Sequence, residues 1–161
     1  MIKFKVLIIS ILVLSSCEYI GAGSLGAYKI KGFPFTNKAL HLSTKTFYIE
    51  YPEYQMPEKW KYELEYWKKD GIDKKKILMF YFKTGPEEMY FVHILEPGMV
   101  KDPEYARIAV VSVYSQKSGW QEIKKFKKEE MERIEQRFES EIISKLEKLT
   151  NTETFDEKTY P

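Results

Sequence analysis

The sequence predicts an α+β fold, an antiparallel sheet packed against a long C-terminal helix. Three observations predict it. Two compact apolar runs, Ile77–Phe82 and Met89–Leu95, flank the turn Thr84-Gly85-Pro86-Glu87, which is the pattern of a hairpin over 76–95. A further run over 105–115 is apolar on both alternating faces, as a central or covered strand requires. Finally, Ile123, Phe126, Met131, Ile134, Phe138, Ile142, Leu146 and Leu149 recur at helical spacing among Lys, Glu and Arg, which predicts a helix over about 119–149.

In chain order, the partial alternation from Leu25 to Lys31 reads as a first strand, ended by Gly32 and Pro34. Thr36 is placed to cap a helix beginning at Asn37, with Leu40, Thr44 and Phe47 on one face. The β-branched threonines and the Tyr48–Tyr51 stretch argue for a short helix running into extended chain, closed by Pro52. The segment 57–71 carries two patterns. Trp60 to Tyr66 alternates as a strand does, while Trp60, Leu64 and Trp67 fall at i, i+4, i+7. Pro57, Glu58 and Lys68-Lys69 before Gly71 tip 58–69 towards a helix.

In the third strand, Ile108, Val110 and Tyr114 are expected on one face and Ala109, Val111 and Val113 on the other. Ser118 with Gln121 three residues on is a capping-box pattern for the last helix. At 1.5 Å per residue such a helix runs to about 45 Å, longer than a three-stranded sheet is wide. It therefore either kinks or carries its far end, with Ile143 off the main stripe, to another contact. Phenylalanines in the stripe and its irregular early spacing favour sheet cover over a coiled coil. Residues 151–161 read as a polar, frayed tail.

The N-terminus is of a different kind. Lys3 and Lys5 precede a nine-residue apolar stretch from Val6 to Leu14 broken only by Ser10, the size of a signal-peptide core. Spanning a bilayer takes roughly 20 apolar residues, and here Glu18 follows at once. The end of this segment, Leu14-Ser15-Ser16-Cys17, resembles the bacterial lipobox. The resemblance covers only the leader. It implies cleavage after Ser16, a diacylglyceryl thioether on Cys17, and a protein attached to the membrane through its N-terminal lipid. Glu18, rather than Asp, after the cysteine implies the outer membrane where the cell has two. The expected organisation is then a signal peptide over 1–16, a lipidated cysteine and short glycine-containing tether over 17–26, one domain over 27–150, and the tail.

Composition narrows the function classes. The chain has 26 basic and 24 acidic side chains; two of the lysines lie in the leader, so the remainder is balanced at 24 and 24. That balance argues against a nucleic-acid partner, whose affinity rests on net phosphate contacts. Cys17 is the one cysteine, so no intrachain disulfide can form. The two histidines, His41 and His93, lack a His-Glu-x-x-His setting, and no Cys/His set for zinc or Gly-x-Ser-x-Gly elbow is present. The clustered glycines over 21–26 are followed by no phosphate-loop lysine, and no cofactor is expected. With 12 Tyr, 10 Phe and 3 Trp, the chain is rich in rings that suit both a core and a recognition surface.

The candidate binding residues are Glu87, Glu88 and Tyr90, next to the rigid Gly85-Pro86 turn, because hairpin tips are exposed and often carry contacts. The expected function is a non-enzymatic binding domain on an envelope lipoprotein, with an envelope protein, peptide or glycan as partner. Two alternatives stay open: a carboxylate-based hydrolase of wall or surface glycan, and an immunity or inhibitor protein against a toxin or lytic enzyme.

Overall fold

The computed structural model describes residues 27–62, 73–95 and 105–157. The leader, Cys17, the tether and most of the ambiguous 58–69 segment lie outside the described residues. Within them the chain forms β1 (Ile30–Phe33), α1 (Asn37–Glu50), β2 (Ile77–Phe82), β3 (Glu88–Leu95), β4 (Ala106–Ser115), β5 (Gly119–Glu122), α2 (Lys128–Phe138), a π-helical turn (Glu139–Ile143), α3 (Ser144–Thr150) and β6 (Phe155–Glu157). Short 3-10 turns occupy Pro52–Tyr54, Glu58–Trp60, Lys74–Lys76 and Ile123–Lys125.

The sheet is antiparallel in every described pairing, in the order β2-β3-β4-β1-β6. β3 follows one edge of β4 along its length; β1 and β5 divide the other edge, pairing at 106–108 and 112–115. β4 is thus the central strand that its two apolar faces predict. One face of the sheet meets the helices. Phe33, Phe80, Phe82, Tyr90, Val92, Ile108, Val110 and Val113 pack there against Leu40 and Phe47 of α1 and against Ile134, Phe138, Ile142 and Leu146. On the opposite face, Trp60 stands edge-on to Tyr81 (5.2 Å) and Tyr114 (5.0 Å) over Met89.

α1 follows its expected start and face. Thr36 Oγ1 accepts from the Ala39 N–H at 3.3 Å, and Leu40, Thr44 and Phe47 are buried. It does not give way to extended chain at Tyr48. Thr44 donates back to the Leu40 carbonyl at 2.9 Å, so this β-branched residue is accommodated inside the helix. Phe47 is ringed by Tyr48, Tyr51, Tyr54 and Phe80, and the Tyr48 hydroxyl donates to the Met79 carbonyl at 2.6 Å. That packing carries the helix to Glu50.

Four other departures have identifiable causes. In β4, Phe91 pairs with Ser112 but Val92 with Val110, so Val111 is an extra residue, a β-bulge. The bulge shifts the alternation by one: Val113, not Tyr114, joins Ile108 and Val110 on the helix side. The last helix does not start at 119. Gly119 has φ 64°, turning the chain back so that Gln121 pairs with Val113 and Trp120 lies 5.3 Å from Tyr114. Ser118 accordingly bonds Ser115 (2.7 Å between hydroxyls) instead of capping a helix. α2 begins after Lys127, with Glu129 and Glu130 favourably placed in its first turn.

The helix changes its spiral at a π turn, and Ile143 stays with the core instead of reaching another contact. In the π turn the Ser144 N–H bonds the Glu139 carbonyl, five residues back. The extra residue rotates Ile143 inward beside Ile142, and both are fully buried. The tail is also ordered beyond Thr150. Asn151 takes a left-handed φ of 50°, and Phe155–Glu157 pairs with β1.

Candidate functional site

The expected binding residues sit where β2 turns into β3, beside the last helix. Lys83 to Pro86 are exposed, but the three candidates do not form an exposed trio. Successive strand residues point to opposite faces, so Glu87 leaves on one side and Glu88 on the other. Glu87 Oε1 accepts from Lys59 Nζ (2.8 Å) and the Tyr81 hydroxyl (2.6 Å), on the Trp60 side. These bonds, Lys59 first, hold its carboxyl below the usual range. Burial, with the Glu87 contact added, pushes the Tyr81 phenol up to about 12.

Glu88 and Tyr90 are buried under the helices. The Glu88 carboxylate is shared between two guanidiniums: Arg133 donates to Oε1 at 2.6 Å and Arg137 to Oε2 at 3.1 Å. The Tyr90 hydroxyl donates to the same Oε2 at 3.1 Å. Burial raises the Tyr90 phenol well above its ordinary value, and the Glu88 charge adds to that. The reading of an exposed acidic tip is therefore corrected for Glu88 and Tyr90. On the helix-covered face, an inward-facing Glu88 is tolerable because cations reach it.

Two residues that complete the cluster, Arg133 and Arg137, escaped sequence reasoning. They lie one turn apart on α2, beside the apolar stripe. Arg137 Nε donates to Glu141 at 3.0 Å, one terminal nitrogen donates to the Pro86 carbonyl at 2.8 Å, and the other bonds the Thr84 carbonyl. Its guanidinium carbon lies 4.5 Å over the Phe82 ring. Arg133 also donates to both oxygens of Glu130, at 2.9 and 2.7 Å, which lowers the Glu130 carboxyl and raises the guanidinium. The Tyr54 hydroxyl donates to Glu141 Oε2 at 3.1 Å. Burial, together with Glu141, pushes its phenol up to about 12. Chemically this arrangement is a clamp: the turn carbonyls, Glu88 and the helix are locked by planar forks with donors already engaged.

A second polar group lies at the other end of the sheet. Glu135 is buried, 5 % exposed, where α2 crosses the start of β1. Its Oε1 has no hydrogen-bond partner, although the Lys29 backbone N–H bonds the carboxylate. Burial pushes this carboxyl up to about 7, against the opposing pull of Lys29 and Lys31 and with help from Glu139. Next to it Lys31 Nζ bridges Glu139 (2.7 Å) and Asp156 (2.6 Å).

His41 is half-buried on α1 and His93 half-buried on β3. Among the described residues, no group of His, Cys, Asp and Glu is arranged to hold a metal ion, and no helix is long and apolar enough to cross a membrane. No known protein family, curated protein or solved structure matches the chain.

Proposed function

We propose that the chain is a lipid-anchored envelope protein whose folded domain acts by binding. The observation that carries the anchor is Leu14-Ser15-Ser16-Cys17 directly behind two lysines and an apolar core of signal-peptide length. Two or more acyl chains on Cys17 hold a protein durably on a bilayer where one does not.

Binding is favoured over catalysis by what the charged groups already do. A glycoside hydrolase needs a protonated carboxylic acid facing a carboxylate across an open cleft. In the hairpin cluster Glu88, Glu130 and Glu141 accept from Arg133, Arg137 or Tyr54. Among the described residues, the carboxyl that is raised, Glu135, is buried beside Lys29 and Lys31. Exposed Leu42 and Ile49 on α1, and Tyr62 beyond it, offer apolar surface that a binding protein can use.

Two measurements test the proposal. The mass of the N-terminal peptide from cell-made protein should show cleavage before Cys17 and a diacylglyceryl adduct, and Cys17→Ser should release the protein from the membrane fraction. An intact Met1 or an unmodified Cys17 on soluble protein refutes the anchor. Crosslinking in the native cell should then capture a defined partner. A toxin or lytic enzyme among the captured proteins would make this the immunity or inhibitor case.

A further inference from the structure

The outer edge of β1 is built like a peptide receptor that the chain fills with its own end. β1 gives one edge to β4 and the other to β6, with Ile30 opposite Glu157, Lys31 opposite Asp156 and Gly32 opposite Phe155. The Phe155 ring lies directly on Gly32, where a Cβ would collide with the ring atoms; the absent side chain is the seat for the aromatic. Tyr105 closes one side of that seat, its ring 5.7 Å away at a steep angle. Arg107, on the neighbouring strand, reaches Glu157 at 3.3 Å, and Lys31 reaches Asp156 at 2.6 Å from the helix side.

The two halves of this contact differ. The receiving side chains Lys31 and Arg107 are 13 % and 15 % exposed, and Lys31 is braced from behind by Glu139. Of the inserted residues, Asp156 and Phe155 are open to water, at 69 % and 43 %. A three-residue edge strand paired on one side only, with its first two side chains open to water, is among the first parts of a domain to open.

We propose that this edge binds an extended peptide segment carrying an aromatic residue followed by two acidic residues, and that Phe155-Asp156-Glu157 occupies it in cis until a partner's segment displaces it. The peptide adds a strand antiparallel to β1, so main-chain bonds supply affinity and alternating side chains supply selectivity. The aromatic and the second acid fall on the Gly32–Tyr105–Arg107 side, the first acid on the Lys31 side. The inference deepens the binding reading above by naming a ligand class, and does not depend on the lipid anchor.

The test uses the full chain in detergent micelles and a fluorescent peptide of the sequence 151–158, followed by anisotropy. Phe155→Ala should bind the peptide at least tenfold more tightly than wild type, because the competing ring is gone. A peptide with Ala in place of its Phe should lose the gain. The Asp156→Lys, Glu157→Lys double substitution, which turns the ion pairs with Lys31 and Arg107 into repulsions, should also raise affinity, and adding Arg107→Glu should remove it. Equal affinity of both variants and wild type, or equal binding of the Ala peptide, overturns the proposal. The anchor is judged separately by the mass of the N-terminal peptide.

Discussion

Replacing Glu135 by Gln should change how stability depends on pH. Its carboxyl, buried where α2 crosses β1, holds its proton up to about 7 in the folded protein against 4.5 ordinarily. Between those values the folded state binds a proton that the unfolded state has released, so stability falls as pH rises through this window. At 1.36 kcal/mol per unit, a displacement of this size amounts to about 3 kcal/mol lost between pH 4.5 and pH 8. Gln cannot titrate and should lack that loss. Its amide still has an unpaired atom where Oε1 has none to bond, so the comparison is of slopes, not of stability at one pH. Urea unfolding at pH 5 and pH 8 measures it: with m near 1–3 kcal/mol/M, the gap between the wild-type and variant midpoints should change by roughly 1–3 M between the two pH values. A gap that stays constant with pH would refute the assignment of a buried, proton-holding carboxyl.

Three further outcomes follow from the packing. Arg137→Ala should destabilise by about 3–5 kcal/mol, because Glu88 stays buried with part of its countercharge removed and two turn carbonyls lose their donor. Combining it with Glu88→Gln should cost less than the sum of the single changes in a chemical-denaturation cycle. Ile143→Ala should cost about 2–5 kcal/mol although a regular 3.6-residue spiral places it off the apolar stripe, since the π turn buries it completely. A value under 1 kcal/mol would mean that the π turn is absent in solution. Finally, Gly32→Ala should expel the Phe155 ring and speed amide exchange in 155–157 while leaving exchange in β3 and β4 unchanged.

What could be read from the sequence was whatever depends on neighbours along the chain. The Leu40–Thr44–Phe47 face, the Thr36 cap and the hairpin around Gly85-Pro86 are set by local spacing and turn chemistry, and the structure has them. The doubly apolar 105–115 segment could only be a covered strand. The bulge at Val111 and the π turn at Glu139–Ile143 each insert a single residue into a regular pattern. No side chain in either segment announces that insertion, and both are settled by what lies across the core. Ser118 and Gln121 carried a genuine helix-start pattern. It lost to the packing of Trp120 tilted against Tyr114 and edge-on to Phe91, which needs the strand. The polar cluster was legible only in part. Glu88 and Tyr90 were singled out, but the arginines that explain them come from 45 to 49 residues further along the chain, and nothing in a run of alternating charges says which cation faces inward.

The two ends of the sheet are secured by opposite means, and this bears on where a partner acts. At the β2–β3 end, Arg133 and Arg137 fasten a helix to a turn through half-buried forks, each with several acceptors. At the β1–β6 end, a three-residue strand rests on a glycine and on one ion pair to each of Lys31 and Arg107, with its own Phe155 and Asp156 open to solvent. Opening the first end exposes Glu88 and Phe82 from the core; opening the second exposes little beyond Phe155. Local opening therefore concentrates at β6. An interaction that proceeds by strand exchange needs an edge that opens cheaply beside a sheet that does not open at all. Hydrogen exchange should show that division, with β6 amides exchanging first and those of β3 and β4 only on global unfolding. Uniform protection across all six strands would remove the physical basis for placing partner binding at β1.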